Sequence, residues 1–108
     1  MGKSIHTSDI KTIILACEAG IGSSLMSVNS LKKKFKAAGI KDVKIIHKAT
    51  ATIPSDAKFI VCHNGIKESV RLQAPDAIIV GFKMFFNDPI FDKIVQAFVE
   101  GREIGINN

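Results

Sequence analysis

Thr12-Ile13-Ile14-Leu15-Ala16-Cys17-Glu18-Ala19-Gly20-Ile21-Gly22-Ser23-Ser24 is the stretch that decides how this 108-residue chain folds. A short apolar run without polar alternation ends in a thiol. Such a run is a strand buried on both faces. A loop with two glycines then hands the chain to two hydroxyl residues. Beyond it Ser24, Val28, Leu31, Phe35 and Ala38 recur at steps of four and three. That spacing predicts an amphipathic helix, and Gly39 supplies its stop.

The same alternation continues outward. Val43-Lys44-Ile45-Ile46 reads as a second strand, at an edge because a lysine interrupts it. Thr50 to Ala57, with Pro54, is a connection. Lys58-Phe59-Ile60-Val61-Cys62 is a third strand, Ile66 to Gln73 a short helix before Pro75, and Ala77-Ile78-Ile79-Val80-Gly81 a fourth strand. The last helix starts near Asp88-Pro89, since Asp caps well and Pro suits the first helical position. Its apolar positions are Ile90, Phe91, Ile94, Val95, Phe98 and Val99, and Gly101 ends it. The expected fold is a single three-layer α/β domain. Its four-stranded parallel sheet has order 2-1-3-4, flanked by helices through right-handed crossovers. Residues 11–101 form the domain, and 1–10 and 102–108 are expected to be flexible tails. In this architecture ligands bind beyond the carboxyl ends of the strands, at the switch point beside strand one. That geometry selects the loop after Cys17.

Composition narrows the function classes. At 46% hydrophobic and 23% charged residues, the chain is too apolar for disorder. No apolar run approaches the ~20 residues that span a bilayer, so no direct membrane insertion is expected. The opening MGKSIHTSDI lacks the apolar segment of an export leader. Two cysteines are too few for a disulfide scaffold, which fits a reducing cytoplasm. No paired Cys or His spacing calls for a metal, and no cofactor is implied. The formal charge of +5 is concentrated: residues 31–48 hold seven lysines against Asp42, a net +6 that leaves the remainder at −1. Such a run is most simply a solvated helix face, and otherwise a patch for an acidic partner or an anionic surface. Nucleic-acid binding is disfavoured, because no known module is present and Phe is the only aromatic.

The loop carries the chemistry. A thiol at a strand end faces a helix N-terminus. Gly20 and Gly22 let successive N–H groups curl inward, and Ser23 and Ser24 add hydroxyl donors. Residues Ala19, Gly20, Ile21, Gly22, Ser23 and Ser24 thus form a cradle for a tetrahedral anion. The same field favours thiolate, so Cys17 is expected to be a nucleophile with a depressed pKa. Its product would be a phosphocysteine held in its own anion nest. The Walker pattern fails because Gly22 precedes Ser23 where it needs Lys, and Leu25 stands where a dinucleotide fingerprint needs a third Gly. The low-molecular-weight tyrosine phosphatase loop, C-x5-R, is nearer, but Ser23 occupies the Arg position. Without a guanidinium to stabilise developing charge, water attack on a phosphocysteine is slow, a defect in a phosphatase and an advantage in a carrier.

Cys17-Glu18-Ala19-Gly20-Ile21-Gly22-Ser23-Ser24-Leu25-Met26 resembles the active-site loop of the mannitol-type enzyme IIB domain of the bacterial phosphoenolpyruvate-dependent sugar phosphotransferase system. The likeness runs from about Lys11 to Glu100, including the Lys-rich first helix and Phe59-Ile60-Val61-Cys62-His63. It implies that Cys17 accepts a phosphoryl group from a phosphohistidine of enzyme IIA. Cys17 would then pass it to a sugar or sugar alcohol bound by the membrane enzyme IIC. It also implies a cytoplasmic place, peripheral to the inner face of the membrane through IIC. A mannitol-type IIB is often fused to its membrane domain, and no membrane segment occurs in this sequence.

Other residues have plainer readings beside functional ones. His63 and Asn64, after strand three, are positioned for phosphate or enzyme IIA, yet such residues more often cap a loop. Asp88 sits where a phosphatase carries its general acid, but a helix cap accounts for it. Glu18 is expected to point away from the anion, and Phe85-Phe86 to form a docking patch or fill the core. Cys62 ends strand three, so a disulfide to Cys17 that blocks phosphorylation is a further expectation, if both direction and face match. The rivals to a phosphoryl carrier are a small cysteine phosphatase, an enzyme IIB-like regulatory domain of a transcriptional regulator, and a redox thiol protein lacking a C-x-x-C pair.

Overall fold

The computed structural model describes residues 4–17, 23–84 and 89–105, with residues 17 and 23–25 described by their backbone alone. Its elements in chain order are β1 (Ser4–His6), β2 (Thr12–Cys17), α1 (Ser23–Ala37), β3 (Lys44–Ala49), β4 (Phe59–His63), α2 (Lys67–Gln73), β5 (Ile78–Phe82), α3 (Pro89–Glu100) and β6 (Glu103–Gly105). The main sheet has order β3-β2-β4-β5 and every pairing in it is parallel. Counted from the strand that opens the decisive stretch, this is the expected 2-1-3-4. The lysine-interrupted strand lies at an edge, as its pattern implies.

Alternation along the strands divides the core between two faces. Ile13, Leu15, Phe59, Val61, Ile78, Val80 and Phe82 meet α1 and α3 through Val28, Leu31, Phe35, Phe91, Ile94 and Ala97. Ile14, Ala16, Ile60, Cys62 and Ile79 meet Ile53 and the α2 residues Val70 and its follower Ala74. The first face is stocked with large aromatics, and Phe35 and Phe98 join the two helices edge to face at 5.0 Å. The second is built of small and aliphatic side chains under a helix of seven residues. β4 is buried almost throughout because it lies inside the sheet with helices on both sides.

Both long helices stop where glycine occurs. Gly39 and Gly101 have φ of 77° and 66°. In each case the glycine N–H reaches back three residues and the next N–H reaches back five: Gly39 to Lys36 and Ile40 to Phe35, Gly101 to Phe98 and Arg102 to Ala97. This is the paired C-terminal bonding that requires a left-handed residue. One detail of α3 departs from its apolar pattern. Ala97 is buried, whereas Val99 is 57% exposed, because the stripe through Phe91 and Ile94 turns away from position 99.

Residues 4–10 and 102–105, expected to lie in tails, are built into the fold. β1 and β6 pair antiparallel, with Ile5 opposite Ile104, and the Thr7 N–H donates to the Arg102 carbonyl. Ile5 and Ile104 both pack on the aromatic-rich core, and a 3-10 turn at Thr7–Asp9 leads into Ile10, itself buried. A three-residue strand carries too little pattern to announce itself; two apolar anchors meeting across the domain hold it.

Candidate functional site

The sheet brings two of the sequence-marked residues, Cys17 and His63, to one rim. β2 ends at Cys17 and α1 begins at Ser23, so the connecting loop leaves from the carboxyl edge of the sheet. β2 lies between β3 and β4, and the chain moves to opposite sides of it in turn. This is the switch point at which open parallel sheets bind ligands. Cys17 pairs with Ala49 on one side. On the other, Ile14 pairs with Ile60 and Leu15 with Val61. Continuing that register sets Cys17 level with His63, which pairs with Phe82. The top row of the sheet therefore reads Ala49, Cys17, His63, Phe82.

Ser23 and Ser24 open the 15-residue α1. The first-turn N–H groups of such a helix have no intrahelical acceptor and carry its positive dipole end. Glu18, Ala19, Gly20, Ile21 and Gly22 lie outside the described residues, as do Phe85, Phe86 and Asp88.

His63 is half-buried, with backbone partners on both ring nitrogens. The Gly65 N–H donates to Nδ1 at 3.0 Å, and Nε2 lies 3.2 Å from the Lys83 carbonyl oxygen. A carbonyl only accepts, so Nε2 carries the proton and Nδ1 is bare. The ring stands edge-on to Phe82 at 5.8 Å, and Phe82 in turn meets Phe91 of α3 at 5.4 Å.

Cys62 is fully buried among aliphatic side chains on the α2 face. Burial pushes its thiol from 9.0 up to about 11, against a smaller downward pull from the Lys67 ammonium. Lys67 is itself held below the ordinary lysine value, chiefly by burial, with Cys62 opposing and Arg71 adding to the shift. The register sets Cys62 one row below Cys17, level with Ala16. The disulfide expectation depends on the Cys17 side chain, which lies outside the described part.

Sequence reasoning passes over Lys67 and Gly81. A Cβ on Gly81 would stand 1.9 Å from Asn64 Oδ1 and 3.4 Å from Lys67 Cδ. The Asn64 amide thus lies directly on the β5 backbone, which only a residue without a side chain permits. The available signal is a glycine near the end of an otherwise apolar strand, which marks a close approach.

Most of the basic stretch lies away from this rim, although Lys48 pairs with Ala16 one row below it. Lys32, Lys33, Lys36, Lys41 and Lys44 are exposed, while Lys34 reaches Asp92 of α3 at 2.9 Å. Lys32, Lys36 and Lys41 edge a groove of about 200 Å³ floored by Phe35, Ile40 and Ile45. A cavity of about 410 Å³ lies between α3 and β6, lined by Val80, Ile94, Arg102 and Ile104 among others. Neither reaches His63.

Comparison with known proteins bears on this rim. Residues 12–97 match the family described as PTS system, Lactose/Cellobiose specific IIB subunit. The chain is 37% identical over 97 residues to the PTS system mannitol-specific EIICBA component of Buchnera aphidicola, covering 90% of this chain and 15% of that protein. It is 36% identical over 89 residues to the mannitol-specific EIICB component of Staphylococcus saprophyticus, covering 82% of this chain and 18% of that protein. With the mannitol-specific EIICB component of Staphylococcus carnosus it shares 28% identity over 96 residues, or 89% and 18%. The chain therefore spans under a fifth of the length of these relatives.

Proposed function

The chain belongs to the IIB-subunit family of the phosphotransferase system, and from that membership we propose that Cys17 is its phosphoryl carrier. In the first step the Cys17 sulfur attacks the phosphorus of a phosphohistidine on enzyme IIA. The N–P bond breaks, an S–P bond forms, and the thiol proton passes to the released imidazole. In the second step a hydroxyl of a sugar or sugar alcohol held by membrane enzyme IIC attacks the same phosphorus. The S–P bond breaks, an O–P bond forms, and the hydroxyl proton returns to the thiolate. Ala19, Gly20, Ile21, Gly22, Ser23 and Ser24 cradle the phosphoryl oxygens with N–H and hydroxyl donors.

The observation that carries this reading is the strand-to-helix junction. β2 ends at Cys17 on the switch-point rim, and the chain re-enters helix at Ser23. Ser23 in place of an arginine favours a carrier over a phosphatase, because slow hydrolysis keeps the group until an acceptor arrives. Among the described residues no helix is long and apolar enough to cross a membrane. The domain acts at the inner membrane face through IIC. The relatives' names favour a mannitol-like substrate, whereas the family description names lactose and cellobiose. The relatives carry more weight, because two of them are more than a third identical to this chain and both are named for mannitol.

The test is intact-protein mass spectrometry under nonacidic conditions. The chain is incubated with phosphoenolpyruvate, enzyme I, the histidine phosphocarrier and a mannitol-type IIA. One added phosphoryl group is expected, lost without IIA and lost in Cys17→Ser. No addition by a IIA that is itself phosphorylated overturns the reading, and turnover of an aryl phosphate moves it to the phosphatase. Uptake without onward transfer to any IIC-bound sugar favours a regulatory domain.

A further inference from the structure

We propose that His63 is a positioning residue for the Cys17 reaction, acting as a staple between the turn after β4, the strand next to Cys17, and the segment after β5; the inference rests on the phosphocysteine reading. Cys17 and His63 stand side by side at the ends of β2 and β4. From that place the imidazole holds two segments at once. Its bare Nδ1 accepts the Gly65 N–H in the turn Asn64–Ile66 that follows β4. Its protonated Nε2 donates to the carbonyl of Lys83, the first residue after β5.

Only one neutral tautomer makes both bonds, because one partner is a pure donor and the other a pure acceptor. The ring is seated as well as bonded. It stands edge-on to Phe82, which is 3% exposed and rests on Phe91. Gly65 is shaped for the bond, since a Cβ there would lie 3.0 Å from Nδ1. The spacing between the β4 and β5 loops is thus set by one side chain rooted in the core. The first of them leaves from β4, the strand beside the one that ends at Cys17. Transfer between two protein-bound sites requires the reacting atoms in line, and a misplacement of about 1 Å costs roughly 100-fold.

Conservative variants separate the two halves of the staple. In His63→Asn the side-chain oxygen replaces Nδ1 and keeps the Gly65 bond, while the reach to Lys83 is lost. In His63→Gln the amide nitrogen replaces Nε2 and keeps the Lys83 bond alone. Gly65→Ala leaves the histidine and pushes its ring away. Each is measured for the single-turnover rate of phosphoryl uptake from phosphorylated IIA, beside its thermal midpoint. The two histidine variants are expected to slow uptake by roughly 10- to 100-fold and Gly65→Ala by less, each more than its stability loss accounts for. Two results overturn the staple: uptake at the wild-type rate in the variants, or a loss that simply follows the unfolded fraction. A wild-type chain that takes no phosphoryl group removes the underlying reading and this inference with it. Independently of any variant, imidazole nitrogen shifts in the unmodified chain at neutral pH must show the Nε2-protonated tautomer. A protonated Nδ1 contradicts the proposal.

Discussion

Cys17 and Cys62 stand on adjacent strands, one register row apart, the first at a strand end and the second inside a strand. Cys17 is the last residue of β2, where the chain leaves the sheet for a glycine-containing loop and a helix N-terminus. Cys62 stops one residue short of the end of β4, and that one row carries it into the aliphatic core under α2. A nucleophilic thiol needs its anion stabilised. Burial does the reverse at Cys62, where the thiol titrates near 11. The comparison teaches that stopping one residue short of the strand end is enough to bury a thiol and hold its proton.

The contrast is broken most sharply by exchanging functions. Cys17→Ser is expected to abolish phosphoryl uptake, whereas Cys62→Ala retains it within about two-fold; mass spectrometry of both reads the result. Equal loss in both variants ends the distinction. Alkylation of the native chain at neutral pH comes next. One thiol is expected to label promptly, mapping to Cys17. Cys62 waits for unfolding, slowed about 100-fold by its depleted thiolate population alone and further by burial.

Stability sharpens the contrast from the other side. A folded pKa raised from 9.0 to about 11 means that the folded chain holds the Cys62 proton more tightly than the unfolded one. That contribution is fully present below pH 9 and is lost as pH rises through about 11. The loss is about 2–3 kcal/mol. Denaturant titrations across this window are expected to show the decline in the wild type and a smaller one in Cys62→Ala. Cys62→Ser, which puts a hydroxyl among aliphatic groups, is expected to cost about 1–3 kcal/mol at neutral pH. The smallest effect belongs to the far end of the molecule. The Lys34–Asp92 pair joins α1 to α3 with Asp92 69% exposed, so a double-mutant cycle is expected to give under about 1 kcal/mol, shrinking with salt.

Much of the fold is legible in the sequence. The apolar run Thr12–Ala16, the helical spacing from Ser24 to Phe35, the stops at Gly39 and Gly101, and the edge character of the strand around Lys44 all follow from periodicity and backbone chemistry acting within a few residues. So does the choice of the loop after Cys17, since strand–helix alternation implies a parallel sheet and a parallel sheet has one switch point. Local signals do not report which residues from distant segments meet. Ser4–His6 and Glu103–Gly105 form a sheet across nearly the whole length of the chain. The engagement of both His63 nitrogens depends on Lys83, twenty residues further on. The Asn64 amide lies on Gly81 because β4 and β5 pair in one register rather than another. The sequence by itself determined the four strands of the main sheet, the helices between them, the rim and the candidate nucleophile, because these depend on spacing along the chain. The tertiary structure alone decided the tautomer at His63, the burial of Cys62 and the pairing of Ser4–His6 with Glu103–Gly105, because each is a property of contacts between residues that only packing brings together.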